Sequence, residues 1–134
     1  QSAVDGDTRA VLDLAGVADD EAIVVAPGLG VQRQLCSLEL HLGPSQVTDL
    51  GSAAVGAGLR QLRGLERLAV YARGSSIGDQ GVLCIIHTLT VMNGLSDLTL
   101  DLGGLKISGA IQLELVEVVH RLPALVRVRL TLQD

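Results

Sequence analysis

The sequence predicts an α/β solenoid, with a parallel β-sheet on one face and helices on the other. Three observations predict it. Leu35, Leu65, Leu95 and Leu125 recur at steps of thirty residues. After each comes a stretch whose alternate residues are apolar, which places one side of a strand against a core. In the first three of these units the apolar residues then fall three and four apart, which draws one stripe along a helix.

The frame reaches back into a degenerate first unit over 5–34, where Val17, Asp19, Val25 and Leu29 align with Val47, Asp49, Val55 and Leu59. Its strand is expected at about Arg9 to Leu14, with Leu12 and Leu14 inward. The unit carries Pro27 and has Gln32 where later units are apolar. An end unit has only one neighbour and tolerates such departures.

The unit 35–64 places Leu38, Leu40 and Leu42 on its strand, Val47 in the turn, and Val55, Leu59 and Leu62 on its helix. The unit 65–94 repeats this with Leu68, Val70, Ala72, Ile77, Ile85, Leu89 and Met92. The unit 95–124 does so with Leu98, Leu100, Leu102, Ile107, Leu115, Val119 and Leu122. A last strand follows within 125–134, carrying Val128, Leu130 and Leu132 inward with no helix behind it. Asp49 and Asp79 stand where helix N-caps are expected, since a carboxylate there accepts backbone N–H groups. Pro123 ends the third complete helix. The whole is read as a single domain, 1–134, long enough for a real core.

Composition narrows the function. Hydrophobic residues make up 48% of the chain, yet it has no Phe, no Trp and one Tyr. The core must be aliphatic, which suits thin regular layers. The net charge is −5, with a single lysine, Lys106, and scattered arginines. Nucleic acid is therefore not an expected partner, because its binding needs clustered cations. Cys36 and Cys84 have no metal-type spacing and are expected to be small, half-buried thiols in a reducing compartment. The longest strongly apolar stretch, Val82 to Met92, contains His87 and is too short to cross a bilayer. No leader is recognised. An intracellular setting, in cytoplasm or an organelle interior, is the expectation.

The stretch LxxLxLxL followed by Val47-Thr48-Asp49-Leu50-Gly51 and Ile77-Gly78-Asp79-Gln80-Gly81 resembles the leucine-rich-repeat family. The full helix and the [VI]-x-D-x-G helix start are most similar to its ribonuclease-inhibitor-like subclass. The third complete unit departs, with Gly109 at the Asp position and Ile111 at the Gly position. The Asn or Cys that usually follows the strand is also missing; the turns read GPSQ, RGSS and GGLK. The resemblance implies a protein-interaction scaffold that is not an enzyme.

Strand residues that point away from the helices form columns. One is Ser37, Arg67, Asp97, Arg127; the next is Glu39, Ala69, Thr99, Arg129; the third is His41, Tyr71, Asp101, Thr131. Glu39, His41, Arg67, Tyr71, Arg73, Asp97, Asp101, Arg127 and Arg129 are the candidate partner-binding residues, with Tyr71 as the one aromatic anchor. The alternating signs of Arg67, Asp97 and Arg127 equally suit a solvated cross-strand ladder.

No catalytic, cofactor or metal site is expected. His41 lies on a strand, His87 and His120 on helices, and no Ser or Cys pairs with any of them at a spacing the repeat brings together. Asp97 and Asp101 share a face but no enclosed pocket. Asp19, Asp20 and Glu21 suit the first turn of a helix. Gly28-Leu29-Gly30 ends a helix instead of opening one, which does not suit phosphate binding. Two functions stay open: a binding module that presents its sheet face, and a structural subunit of a larger assembly, packed through its solenoid end and sheet face.

Overall fold

A computed structural model describes residues 2–5, 9–31 and 34–132. Strands and helices alternate in chain order: β1 (Ser2–Asp5), β2 (Arg9–Asp13), α1 (Asp19–Val25), β3 (Ser37–His41), α2 (Asp49–Leu59), β4 (Arg67–Tyr71), α3 (Asp79–Leu89), β5 (Asp97–Asp101), α4 (Gly109–Arg121) and β6 (Arg127–Thr131). The six strands form one sheet in sequence order. Those from β2 to β6 are parallel and pair in register, so that Leu38 lies beside Leu68, Leu68 beside Leu98 and Leu98 beside Val128. The thirty-residue step of the sequence is thus the step of the sheet.

Length matching lets each unit close. A five-residue strand spans about 17 Å, and an eleven-residue helix about the same. The helix therefore returns the chain to the start of the next strand with only short turns between. The strand leucines and the helix stripe meet in one layer of core. Leu38, Leu40 and Leu42, their equivalents in β4 and β5, and Val55, Leu59, Ile85, Leu89 and Leu115 are all buried. Each such aliphatic side chain contributes on the order of 2 kcal/mol. Two buried hydroxyls tie α2 to α3: Ser52 donates to the Gly81 carbonyl (2.9 Å), and Thr88 donates to the carbonyls of Cys84 (2.8 Å) and Gly56 (3.3 Å).

The N-terminal unit behaves as aligned, with Ala10, Leu12 and Leu14 buried. Its helix is short, because Pro27 has no N–H to continue the ladder, and the chain tightens into a 3₁₀ turn over Ala26–Val31. Gln32 and the side chain of Leu29, both singled out by the alignment, lie outside the described residues. One element was not anticipated: β1 folds back antiparallel on β2, with Ser2 beside Leu12 and Asp5 beside Arg9. Pro123 acts as expected. It pushes Leu122 to an extended ψ of 118°, whereas α2 and α3 end on helical residues.

The aspartates correct the sequence reading. Thr48 and Gly78 hold the extended cap positions, and Asp49 and Asp79 are the first helical residues. Their carboxylates do not cap their own helices. Asp49 Oδ1 accepts the N–H groups of Gly78 (2.7 Å) and Gly81 (3.0 Å), at the start of the next unit's helix. One unit earlier Asp19 does the same for Thr48 (2.7 Å) and Gly51 (3.0 Å), and also accepts the Thr48 hydroxyl. One unit later Asp79 accepts the N–H of Ser108 (2.8 Å).

The cause is supply and demand at helix starts. The first-turn N–H groups of each helix have no partner within it, and a carboxylate one unit away offers charge-assisted bonds. Glycine makes room: a Cβ on Gly81 would stand 2.7 Å from Asp49 Oδ1 and 2.5 Å from Ile77 Cγ2. Burial pushes the Asp19 carboxyl up, but the bonds from the Thr48 side chain and from the N–H groups of Thr48 and Gly51 outweigh it and hold it below the ordinary value. This aspartate ladder ties successive units at the helix starts, in a chain whose turns lack the usual Asn.

Candidate functional site

The face of the sheet opposite the helices is built by alternation. Odd-numbered residues of β3 to β6 point away from the core, and the in-register pairing aligns them across the strands. No helix covers them, so their side chains are half-buried or exposed.

The column through His41, Tyr71, Asp101 and Thr131 is the best ordered. The rings of His41 and Tyr71 stack at 5.0 Å between centroids and 17° between planes. His41 Nε2 also meets a Glu39 carboxylate oxygen two residues back on the same strand. On the other side of Tyr71, Arg73 forms a two-pronged pair with Asp101, with Nη2 3.2 Å from Oδ1 and Nε 3.3 Å from Oδ2. That guanidinium lies directly over Gly103, where a Cβ would stand 2.2 Å from Nη2, and the Gly103 N–H donates to Asp101 Oδ1 (3.1 Å). Five of the nine candidate residues, Glu39, His41, Tyr71, Arg73 and Asp101, thus form one continuous strip over β3, β4 and β5.

The column through Arg67, Asp97 and Arg127 is looser. Arg127 Nη1 lies 3.9 Å from Asp97 Oδ2, beyond hydrogen-bond reach, and its side chain is 74% exposed. Arg67 makes no ion pair among the described residues. The expected three-member ladder is therefore one loose pair. Arg129 faces Thr99 on β5, and Ala69 lies one strand further in. The sheet face is consequently low in the middle, with the aromatic strip along one side and arginines at the β6 end.

Asp97 and Asp101 each lie beside a different arginine, so they do not form a paired-carboxylate centre. His87 and His120 lie in α3 and α4, away from the sheet face. His120 Nδ1 donates to the Val116 carbonyl (2.9 Å). An open groove of about 490 Å³ between α3 and α4 is bordered by His87, Glu114, Glu117 and Arg121. Among the described residues no cluster of three or more His, Cys, Asp or Glu side chains has the geometry to hold a metal ion. Cys36 and Cys84 are half-buried free thiols. No helix among the described residues is long and apolar enough to cross a membrane.

Sequence reasoning placed the columns correctly but missed Gly103, whose part depends on a side chain that arrives from the previous turn. It also missed the helix-start aspartates as links between units. A signal was present: Asp19, Asp49 and Asp79 follow the thirty-residue step, each with Gly or Ile two positions on in the next unit.

No protein-family model matches the chain, and no curated protein sequence matches it. Among solved structures the chain is similar to one described as Leiomodin-1 Actin-Binding Site 2 (ABS2). The TM-score is 0.66 and the identity 13%, over 92% of this chain and 69% of that one. At that identity the likeness concerns the fold. The chain is an α/β solenoid, compatible with a leucine-rich-repeat-like arrangement of five parallel strands alternating with helices.

Proposed function

We propose that this chain is a non-enzymatic protein-interaction module of the leucine-rich-repeat kind, nearest the ribonuclease-inhibitor-like subclass, and that its contact surface is the open sheet face. The observation that carries the reading is the His41–Tyr71 stack, clamped between Glu39 and the Arg73–Asp101 pair. The single aromatic residue of the chain stands in the middle of an uncovered face, held in place before any partner arrives. Tyr and Arg dominate interface energetics, and an anchor already ordered loses little entropy on binding. Arg67, Asp97, Arg127 and Arg129 surround that anchor. The fold shared with a solved structure whose title names an actin-binding site is consistent with protein binding, without naming the partner here.

The test is affinity capture from cell extract with three forms of the chain: wild type, Tyr71→Ala with Arg73→Ala, and Glu117→Ala on the helical side. The reading expects proteins that the wild type and the helical-side variant retain and the face variant loses. Capture that is identical for all three would overturn it.

A second reading has its own observation. On β6 the core-side Val128 is 41% exposed, while its neighbour Leu98 is fully buried. That suits a structural subunit of a larger assembly, packed through this end of the solenoid as well as the sheet face.

A further inference from the structure

We propose that the outer edge of β6 docks an extended segment of a partner protein in which acidic and apolar residues alternate, and that this segment pairs with β6 as a further strand. The proposal rests on the reading of the chain as a protein-interaction module and names the partner's chemistry.

The backbone comes first. β6 pairs with β5 on one side only. The Arg127 N–H donates to the Ser96 carbonyl (3.0 Å), and the Thr131 carbonyl accepts from Leu102 (2.7 Å). The odd positions of β6 therefore use their backbone groups on β5. By the alternation of a parallel ladder, Val128 and Leu130 direct theirs outward, where among the described residues nothing pairs with them. Such a row is a template for an added strand.

The side chains then specify what can add. On the core side, Val128 is exposed and Leu130 and Leu132 are half-buried, while Leu98, Leu100 and Leu102 beside them are buried. The incoming strand must bring apolar residues to that side. On the open side, β6 presents Arg127 and Arg129, both exposed. Arg127 is held only loosely by Asp97, and Arg129 faces the neutral Thr99. Across the sheet the sign already alternates from Asp97 to Arg127, and opposite charges on neighbouring strands attract. The residues beside Arg127 and Arg129 on an added strand are therefore acidic.

A second copy of the chain does not meet this demand at the same edge. Two β6 strands related by a twofold axis would run antiparallel with Arg129 directly opposite Arg129, and like charges there are unfavourable. The arginines blunt the edge against itself while leaving it open to an acidic strand.

The probe is a synthetic peptide of alternating Glu and Val, with a block-ordered peptide of the same composition and an alternating Lys-Val peptide as controls. Binding is followed by fluorescence anisotropy and by amide hydrogen exchange of the whole chain. The alternating acidic peptide is expected to bind saturably and to slow exchange at Val128 and Leu130. Arg129→Glu should weaken it at least about tenfold and shift the preference toward the Lys-Val peptide, while Tyr71→Ala leaves it unchanged. Absence of binding would overturn the proposal. So would equal binding of the block-ordered peptide without protection at β6, or protection of Val128 and Leu130 by self-association without peptide. If the peptide fails while captured proteins still depend on Tyr71 and Arg73, this inference falls and the interaction-module reading stands.

Discussion

The two ends of the sheet are finished differently. At the first end β1 folds back along β2, so the outer side of β2 has a hydrogen-bonded neighbour, and Ala10, Leu12 and Leu14 are buried. At the other end β6 has a strand on one side only, and Val128, the counterpart of Ala10 in the register, is open. The helix starts follow the same gradient. Asp19 and Asp49 each bind two N–H groups of the next helix start, Asp79 binds one, and Gly109 offers no carboxylate at all. A repeat is held by what its neighbours supply, so tightness should fall from the early units toward β6.

The sharpest way to break this comparison is to truncate equivalent core residues. Leu98→Ala should cost about 3 kcal/mol, and Val128→Ala, already partly in water, less than about 1 kcal/mol. Urea denaturation of the two variants measures both, and equal losses would contradict the gradient. Next in size is the ladder. Asp49→Ala leaves two N–H groups without their acceptor and should cost about 2 kcal/mol, against about 1 kcal/mol for Asp79→Ala with one.

Acid probes the same ladder at its first rung. The Asp19 carboxyl is held below its ordinary value of 3.8, so its contribution is fully present above that pH and lost as pH falls through the lower folded value. Thermal melts between neutral pH and this range should therefore show a shallower acid loss for Asp19→Asn than for wild type. The smallest effect is expected at Gly109→Asp. With no further helix start to bind, the new carboxylate gains only the dipole of α4, at most about 0.5 kcal/mol of stabilisation.

The regular middle of the molecule was legible because two periods, two and 3.6, repeat inside a third. A misplaced strand would have put Leu38, Leu68 and Leu98 on the wrong face all at once. The columns followed from the same register, so the neighbourhood of His41 and Tyr71 could be expected before their stacking was seen. Three features were not legible. β1 is four residues long and outside the repeat. The role of Asp49 turned on one position, the first helical residue instead of the cap, and its partners lie in the next unit. The clamp on Tyr71 depends on Arg73 reaching across the turn to Gly103, which no periodicity reports.

The most direct test of the account is amide hydrogen exchange, residue by residue, on the monodisperse chain without any partner. Leu98 and Leu100 on β5 face β6, while their counterparts Val128 and Leu130 face outward. The account predicts slow exchange at the first pair and exchange close to that of an unstructured amide at the second. Equal protection of the two pairs would mean that the edge of β6 is already covered, and would contradict both the open edge and the docking proposed there.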